Sequence, residues 1–484
     1  MSVLEWVVLL ALLVDMVLRV LAVIVVPRNR RPTSAMAWLL AIFFLPVPGL
    51  LLFLLIGSPK TSRRRRRKQA EIDSYLHQAS EELRVGTFRD NPPPWFDQVV
   101  AMNQHLGALP LTGDNSAHLI PGYQDSLDAM AAAMAVAEQY IHVEFYILQS
   151  DSSTEPFFAA MEQAAQRGVQ VRVLLDHWAN RFKPRYQQTI SRLDAMGADW
   201  HLMLPVRPFR GQWERPDLRN HRKLVVVDGI VGFIGSQNVT KRDYNLPKNI
   251  KRGLQWVDLM ARVEGPVVAE IDAVFYSDWY TESGETLVEE LTPTPVASSD
   301  GDLDCQIVPS GPGYEFENNL QLFLSLMFHA KEQMIIISPY FVPDESLLRA
   351  ITNARHRGVH VELFVSETGD QAGVYHAQRS FYEAMLRIGV RIYMYRSPYI
   401  LHTKTLRIDS EIAVIGSSNM DMRSFGLDAE ISMLVRGEEF CDELRQVEDH
   451  YRSLSKELTL QEWLKQPLRA TALDNLARLT SALQ

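Results

Sequence analysis

Two stretches of the chain contain the same residues with side chains suited to chemistry, at the same spacing. Residues 220–238 read NHRKLVVVDGIVGFIGSQN, and residues 402–419 read HTKTLRIDSEIAVIGSSN. Each stretch has a histidine, a lysine two residues later, an aspartate five residues after the lysine, and then Gly-Ser-x-Asn. Each element of the second stretch lies 181 positions after its counterpart in the first. A single copy would fit a core histidine with a solvated lysine about as well as it fits a functional site. Two identically spaced copies favour the functional site.

Both stretches have the composition of β-strands, in which successive side chains alternate between two faces. His221 and Lys223 therefore share one face, and His402 and Lys404 share one face of the second strand. Asp228 and Asp409 have the opposite parity and lie at the far ends. Since Asp-Gly is a strong hairpin signal, we expect Asp228 and its counterpart to have a structural role in the turns that follow.

Two such pairs facing each other would form a pocket suited to a phosphodiester. One imidazole can attack phosphorus, and the other can protonate the leaving alkoxide. The non-bridging oxygens, on which charge develops, can be bound by four side chains: Lys223, Lys404, Asn238 and Asn419. From the residues alone, either histidine could be the nucleophile.

This duplicated pattern resembles the phospholipase D superfamily, and within it most resembles the bacterial cardiolipin synthases. The resemblance extends from about residue 115 to residue 430. Besides the two motifs, it rests on five short segments: NHRK at 220–223, EGP at 264–266, DW at 278–279, SPYFVPD at 338–344 and DMRSF at 421–425. Asp428 is a departure, because the family pattern has asparagine there.

The resemblance implies an α/β fold of two tandem phospholipase D-like sandwich halves with pseudo-twofold symmetry. It implies a catalytic set of six residues, namely His221, Lys223, Asp228, His402, Lys404 and Asp409. It also implies that His221 is the nucleophile and His402 the general acid. An acidic residue after each motif is expected to orient a histidine: Asp258 for His221 and Glu430 for His402. The alternative is that these two acids lie on strand surfaces.

Charge is unevenly distributed along the 484 residues, whose net charge is −9. Residues 1–68 contain 11 Lys/Arg and two acids, whereas the remainder contains 38 Lys/Arg and 56 acids. An acidic body argues against nucleic-acid binding, which needs a basic surface. The two cysteines, Cys305 and Cys441, exclude a disulfide framework and a cysteine-rich zinc site. No nucleotide fingerprint is present, and no cofactor or metal is expected because lysines and imidazoles can supply the positive charge.

The N-terminal region predicts a transmembrane helical hairpin. Residues 3–26 and 36–56 are apolar, and Asp15 and Arg19 interrupt the first run at a spacing that lets them pair. A signal peptide is the alternative for the first run, although no small-residue cleavage site follows it. Seven basic residues within 60–68 place the following body in the cytoplasm and should attract anionic lipids. The arginines between the two runs oppose this orientation, and a re-entrant hairpin would explain them.

We therefore predict five segments: a transmembrane hairpin (1–59), a basic connector (60–114), a first catalytic half (115–281), an acidic linker (282–304), and a second half with a C-terminal tail (305–484). In the first half, residues 129–140 predict a helix, 141–148 a strand, 159–167 a helix ending at Gly168, and 169–176 a buried strand. His142 and Glu144 share a strand face, where they would line the pocket or belong to the core.

The function implied is that of a multi-pass enzyme of the bacterial cytoplasmic membrane. It would transfer a phosphatidyl group between two phosphatidylglycerol molecules through a phosphohistidine. The alternatives are a phospholipase D-type hydrolase, a transphosphatidylase that uses another donor such as phosphatidylethanolamine, a nuclease, and a non-enzymatic scaffold. A nuclease would need a basic body and no hairpin. A relic scaffold would be expected to have lost a histidine or lysine, and both motifs are intact.

Overall fold

A computed structural model describes residues 2–28, 30, 32–58, 60–82, 86–207, 212–287, 301–314 and 316–479, with only the backbone for residues 33 and 73–82. The chain divides into two compact units, which are residues 1–61 with 215–217 and residues 62–214 with 218–484. Most of the predicted acidic linker lies outside the described residues.

The first unit contains three apolar helices: α1 (Val3–Val25), α2 (Pro32–Phe44) and α3 (Pro46–Ile56). Among the described helices, α1 alone is long and apolar enough to cross a bilayer. The predicted pairing within it is confirmed, because Arg19 Nε lies 2.8 Å from an Asp15 carboxylate oxygen.

The second apolar run is bent back on itself rather than continuous. Pro46 cannot donate a backbone hydrogen bond, and the helix breaks at Leu45. The rings of Trp38 and Phe53 pack edge to face with centroids 5.5 Å apart, although they are 15 positions apart in the chain. A continuous helix would separate them by about 22 Å at 1.5 Å per residue. The absence of a Cβ at Gly49 permits this approach, since one would lie 2.6 Å from the Ala41 carbonyl oxygen.

The second unit begins with two helices and continues into the first half of a large sheet. The elements of this region are α4 (Arg63–Glu82), α5 (Phe96–His105), β1 (Thr112–Ile120), α6 (Tyr123–Ala135), β2 (Tyr140–Phe145), α7 (Glu155–Gln166), β3 (Gln170–Asp176), α8 (His177–Arg181), α9 (Tyr186–Met196), β4 (Asp199–Met203), β5 (Val206–Arg207), β6 (Gln212–Trp213), β7 (Arg219–Asn220), β8 (Lys223–Val227), β9 (Val231–Gly235), α10 (Pro247–Arg252), β10 (Gln255–Val257), β11 (Met260–Glu264) and α11 (Val267–Ser283).

The second half repeats this order. Its elements are β12 (Leu303–Ser310), α12 (Asn318–His329), β13 (Gln333–Ile337), β14 (Phe341–Val342), α13 (Glu345–His356), β15 (His360–Ser366), α14 (Ala372–Arg379), α15 (Tyr382–Arg387), β16 (Arg391–Tyr395), β17 (Tyr399–Leu401), β18 (Thr405–Ile408), β19 (Ile412–Gly416), β20 (Met420–Asp421), α16 (Met422–Gly426), β21 (Asp428–Arg436), α17 (Glu438–Ser453), β22 (Ser455–Leu458), α18 (Leu460–Trp463) and α19 (Leu468–Arg478).

The predicted strand at 141–148 is β2, which begins one residue earlier and ends at Phe145. The predicted helix at 129–140 was misplaced, because α6 ends at Ala135.

The two halves join edge to edge in one mixed sheet. Within the described residues its main path runs β4-β3-β2-β8-β9-β11-β1 and then, in mirrored order, β12-β21-β19-β18-β13-β15-β16, with β22 added at the far edge. The junction is the antiparallel pair β1–β12. The predicted tandem arrangement of two equivalent α/β halves is confirmed.

The core lies on both faces of this sheet. Side chains of α11 and α17 pack in one cluster with both halves on one face. On the other face, α6 and α7 cover the first half, and α12 and α13 cover the second. Along β8, Leu224 and Val226 enter the first cluster and Val225 and Val227 the opposite one, which confirms the predicted alternation.

Candidate active site

Each motif histidine lies between two short strands at the seam between the halves. His221 follows β7, which pairs in parallel with β21 of the second half, and its backbone N–H donates to the Ala429 carbonyl at 2.8 Å. His402 follows β17, which pairs in parallel with β10 of the first half, and its N–H donates to the Val257 carbonyl at 2.7 Å. Each half therefore places its histidine against a strand of the other half.

This exchange determines which acid contacts which histidine. Nδ1 of His221 lies 3.0 Å from both carboxylate oxygens of Glu430. Nδ1 of His402 lies 2.7 Å from Oδ1 of Asp258. All four side chains are buried. The predicted pairing of Asp258 with His221 and Glu430 with His402 was wrong, because each acid reaches across the seam.

The two motif lysines are fixed beside the histidines. Lys223 Nζ donates to the His221 carbonyl, and Lys404 Nζ donates to the His402 carbonyl at 2.7 Å. Burial lowers the pKa of Lys223 to about 7 and that of Lys404 to about 8, although the nearby acids oppose the shift. Each lysine also lowers the pKa of the histidine in the other half, so the two pairs lie within one electrostatic environment.

The motif serines position the acids. Ser236 Oγ donates to Asp258 Oδ1 at 2.7 Å, and Ser417 Oγ donates to Glu430 Oε2. A third hydroxyl, that of Ser424, donates to Glu430 Oε1 at 2.8 Å. Sequence reasoning gave these serines no role, although the first two occupy the Gly-Ser-x-Asn positions of both copies. Their duplication was the signal that could have identified them.

The two acids differ in how easily they ionise. Burial raises the pKa of Glu430 to about 7, although Lys223 and the two serine hydroxyls lower it. Burial acts in the same direction on Asp258, but the charge of His402 and its hydrogen bond outweigh it, so the pKa of Asp258 is lowered. Asp258 is therefore the more easily ionised of the two acids.

The two histidines also differ in how easily they are protonated. Burial, followed by the charges of Lys223 and Lys404, holds the pKa of His221 well below its usual value. Burial and Lys404 also lower the pKa of His402, but Asp258 opposes them through its charge and its hydrogen bond. His221 is thus kept neutral, while His402 has an ionised carboxylate that stabilises its imidazolium form.

The two motif asparagines have different surroundings. Asn238 Oδ1 accepts from the Ile147 N–H at 3.0 Å, and its Nδ2 donates to the Tyr244 hydroxyl at 2.9 Å. Asn419 Oδ1 is buried without a hydrogen-bond partner among the described residues. Phosphate binding by either amide stays a prediction, and the environment of Asn419 leaves more of its side chain uncommitted.

The motif aspartates lie at the other ends of the strands. Asp228 accepts hydrogen bonds from the backbone N–H groups of residues 138, 139 and 140, each at 2.8 Å. Asp409 accepts from those of residues 331, 332 and 333 at 2.8 to 3.2 Å. Both have positive φ, near 54°. Their carboxylates hold turns in place, as strand parity predicts, and their inclusion in the catalytic set stays a prediction.

His142 and Glu144 belong to the core beneath the sheet. His142 is fully buried between the rings of Tyr140 and Phe275, and its Nδ1 lies 2.6 Å from Asp272 Oδ1. Glu144 is also fully buried, and burial raises its pKa to about 7. Among the described hydrogen bonds, none joins a motif histidine or lysine to His142 or Glu144. A core role is therefore supported over a place in the lining of the pocket.

A cleft lies beside the second pair. Six of the residues that line it are Tyr340, Ser366, Thr368, Asp370, Gln371 and Tyr375. The Tyr340 hydroxyl donates to the Asp370 carboxylate at 3.0 Å. The cleft is also lined by Ile400, which precedes His402 by two residues, so it lies near the second His-Lys pair.

Metal binding finds no support in the geometry of the described residues, among which no group of three or more His, Cys, Asp or Glu side chains could hold an ion. That the reaction needs no metal or cofactor stays a prediction.

Comparisons with known proteins agree with this geometry. A family model described as "Cardiolipin synthase, PLD-like domain" matches residues 130–279 and 323–451, and one described as "Phospholipase D-nuclease N-terminal" matches residues 17–58. Cardiolipin synthase A of Proteus mirabilis (strain HI4320) is 32% identical over 471 residues, which cover 94% of each chain. Cardiolipin synthase A of Pectobacterium atrosepticum is 31% identical, covering 91% of this chain and 90% of that relative.

Among solved structures, phosphatidylserine synthase of Haemophilus influenzae Rd KW20 superposes with a TM-score of 0.59. The match covers 80% of this chain and 99% of that chain at 13% identity, which is a likeness of fold.

Proposed function

The chain belongs to the cardiolipin synthase family with phospholipase D-like domains, and from this premise we propose that it transfers a phosphatidyl group from one phosphatidylglycerol to another. The products are cardiolipin and glycerol. The observation that carries the proposal is the convergence of two His-Lys pairs at one seam, each histidine held by a carboxylate from the opposite half.

The first displacement forms a phosphohistidine on His221. In the reactive state Glu430 is ionised and accepts the proton of His221 Nδ1, so the Nε2 lone pair is available to attack phosphorus. As the bond from phosphorus to the glycerol oxygen breaks, Nε2 of His402 gives its proton to that oxygen and glycerol leaves. Lys223 and Lys404 stabilise the negative charge on the non-bridging oxygens.

The second displacement reverses these roles. His402, now neutral, accepts the proton of a headgroup hydroxyl of the second phosphatidylglycerol, and that oxygen attacks phosphorus. The bond from phosphorus to His221 Nε2 breaks, which restores the free imidazole and gives cardiolipin. One phosphodiester replaces another, so no nucleotide is consumed.

The electrostatic difference between the two pairs supports this assignment of roles. A nucleophilic imidazole must be neutral, and the pKa of His221 is held well below its usual value by burial and the two lysines. A general acid must be protonated, and although burial and Lys404 also lower the pKa of His402, the Asp258 carboxylate opposes them, so His402 is the more easily protonated of the two imidazoles. The different acids at the two positions support a choice between the two histidines that the residues alone leave open.

The acceptor hydroxyl is proposed to enter through the cleft next to Lys404. Asp370 and Tyr340 offer hydrogen-bonding groups suited to a polyol headgroup rather than to a second anion. The low exposure of His221 and His402, 9% and 4%, restricts water at the phosphohistidine and favours transfer over hydrolysis.

We also propose that the protein is integrated in the bacterial cytoplasmic membrane with the catalytic unit on the cytoplasmic side. In this arrangement α1 crosses the bilayer, and α2 with α3 enters and leaves through one face, since each has fewer than the roughly 20 residues that a span requires. The arginines between the two apolar runs and the basic residues at 60–68 then both lie on the cytoplasmic side, in agreement with the positive-inside rule. Arg63, Arg64 and Arg67 are exposed and suited to anionic headgroups.

Product analysis tests the proposed reaction. Purified protein in detergent is incubated with phosphatidylglycerol alone, and lipid and water-soluble products are measured by mass spectrometry. Cardiolipin and glycerol in equal amounts are expected. Phosphatidic acid as the main product would make the protein a hydrolase, and cardiolipin formed only after phosphatidylethanolamine is added would replace the proposed donor.

A further inference from the structure

The C-terminal helix α19 exposes a face of leucines that no described residue covers. Leu468, Leu473, Leu476 and Leu479 are 87%, 52%, 62% and 80% exposed, and Leu464 just before the helix is 56% exposed. At 100° per residue, the three leucines of the helix and Leu479 at its C-cap fall within a sector of about 140°. An amphipathic helix of a soluble protein presents such a face to the core, and α19 presents it outward.

The orientation of α19 is fixed by the contacts of its other face. Asp474 is buried, and its Oδ1 lies 2.7 Å from Nδ1 of His376 in α14. The Arg379 guanidinium, also in α14, contacts Asp474 and donates to Gln466 Oε1 at 3.0 Å. Rotation of α19 that buried the leucines would break this buried ion pair. The outward leucines are therefore a feature of the docked helix.

The exposed charges of this segment have one sign. Of the two helical arginines Arg469 lies within the leucine sector, whereas Arg478 lies about 80° outside it with its guanidinium 4.8 Å from the centre of the Phe381 ring. Among residues 464–479, all of which the structure describes, the exposed charged side chains are those of Lys465, Arg469 and Arg478, and the acid Asp474 is turned inward. The rest of the unit is strongly acidic, with 56 acids against 38 Lys/Arg in residues 69–484. Leucines flanked by basic residues are typical of helices that lie in the headgroup region of anionic bilayers.

The position of α19 connects it to the active site. Helix α14, to which it is bound, supplies Tyr375 and Gln378 to the wall of the cleft beside Lys404. One helix thus separates the leucine face from the path proposed for the acceptor lipid.

We propose that α19 lies in the interface of an anionic phospholipid bilayer, with its leucines at the acyl boundary and its basic side chains at the phosphates. It holds the adjoining cleft at the level of the lipid headgroups, and it does so independently of the N-terminal helices. The inference goes beyond the proposed reaction, and its test measures contact with lipid rather than turnover.

The test uses two single-cysteine labelling sites on the same helix in the full chain. Cys305 and Cys441 are fully buried, so an environment-sensitive fluorophore reacts selectively at Leu476→Cys, with wild type treated with the same fluorophore as the background control. Thr471→Cys is the matched control, because Thr471 is exposed but lies about 140° around the helix from Leu476. Both variants are reconstituted in bilayers of phosphatidylglycerol that contain a nitroxide-labelled lipid.

We expect blue-shifted emission at position 476 and quenching by the nitroxide lipid several times stronger than at position 471. Equal quenching at both positions, or none at either, would overturn the proposal. A blue shift at 476 that disappears when the protein is diluted in excess lipid would also overturn it, because the face would then be covered by a second copy.

A variant without the label provides the second measurement. Leu473→Glu with Leu476→Glu should lower turnover of phosphatidylglycerol in bilayers about tenfold, since each leucine loses its interfacial burial. Turnover in mixed detergent micelles should change by less than about twofold, which also shows that the variant is folded. Equal losses in both systems would indicate a structural defect, and no loss in bilayers would contradict the docking role.

Discussion

Replacing Asp258 by asparagine tests the crossed pairing of acids and histidines. The substitution removes the ionised partner that lies 2.7 Å from Nδ1 of His402. A hydrogen bond to a charged group contributes about 1.5 to 3 kcal/mol. Since 1.36 kcal/mol corresponds to tenfold in rate, turnover of phosphatidylglycerol should fall about 10- to 150-fold. Glu430→Gln, the matched variant at His221, should be impaired to a similar extent, so overall turnover does not distinguish the two positions.

A substrate whose leaving group needs no proton does distinguish them. With the p-nitrophenyl ester of phosphatidic acid, the first displacement does not require His402 as an acid. Asp258→Asn should then release p-nitrophenol in a burst at a rate within about threefold of wild type, followed by slow turnover because His402 is the base of the second step. Glu430→Gln should slow the burst itself about tenfold or more, because Glu430 orients the nucleophile.

The opposite pattern would refute the crossed arrangement. If Asp258→Asn abolished the burst and Glu430→Gln preserved it, Asp258 would serve the nucleophile, or the roles of the two histidines would be exchanged. Thermal unfolding of both variants provides the control for folding. Glu430→Gln should be at least as stable as wild type, because burial already raises the pKa of Glu430 to about 7 and disfavours its charge.

Three further predictions concern groups around the site. Asp228→Ala should lower the free energy of unfolding by about 2 to 4 kcal/mol, since three backbone amides lose a charged acceptor, while kcat at low temperature stays within about threefold of wild type; a stable but inactive variant would support a catalytic role. Asp428→Asn removes a charge that raises the pKa of His221, so the acidic limb of the pH profile of kcat/KM should move to lower pH, and a move to higher pH would contradict the electrostatic account. Ser2→Cys should react with a membrane-impermeant maleimide in intact spheroplasts as fully as after permeabilisation, because the single crossing proposed for α1 places residue 2 outside; labelling only after permeabilisation would indicate an even number of crossings.

The sequence predicts the parts of the site that depend on strand parity and on duplication. The period of a strand predicts that side chains alternate along β8 and that the histidine and lysine of each motif share one face. The chemistry of an Asp-Gly turn predicts the structural role of Asp228. The two-half sheet follows from the repeat of the motif at a constant offset. Each of these properties is determined by neighbouring residues or by the repeat, so it can be predicted from the sequence.

The pairing of acids with histidines could not be predicted in this way. Asp258 and Glu430 each follow the motif of their own half, and sequence order suggests that each serves the nearest histidine. The pairing depends instead on the short strands β7 and β17, each of which joins a strand of the opposite half. Two-residue or three-residue strands carry almost no periodic signal, so the exchange is a tertiary feature.

Long-range contacts also explain the misplaced end of α6. The alanine-rich run predicts helix up to residue 140, but the chain leaves the helix after Ala135 because the amides of residues 138–140 bind the carboxylate of Asp228, about 90 residues away. By contrast, the break in the second apolar run was visible in the sequence as Pro46, Pro48 and Gly49, and the structure turns there.

The most direct test of the two-histidine mechanism is to locate the covalent intermediate. The His402→Ala variant lacks the base of the second displacement, so the p-nitrophenyl ester of phosphatidic acid should load the protein and stop there. Peptide mass spectrometry after alkaline handling should find the phosphatidyl group on His221, in about one equivalent per chain. The same group on another residue, or full turnover without an adduct, would contradict the account.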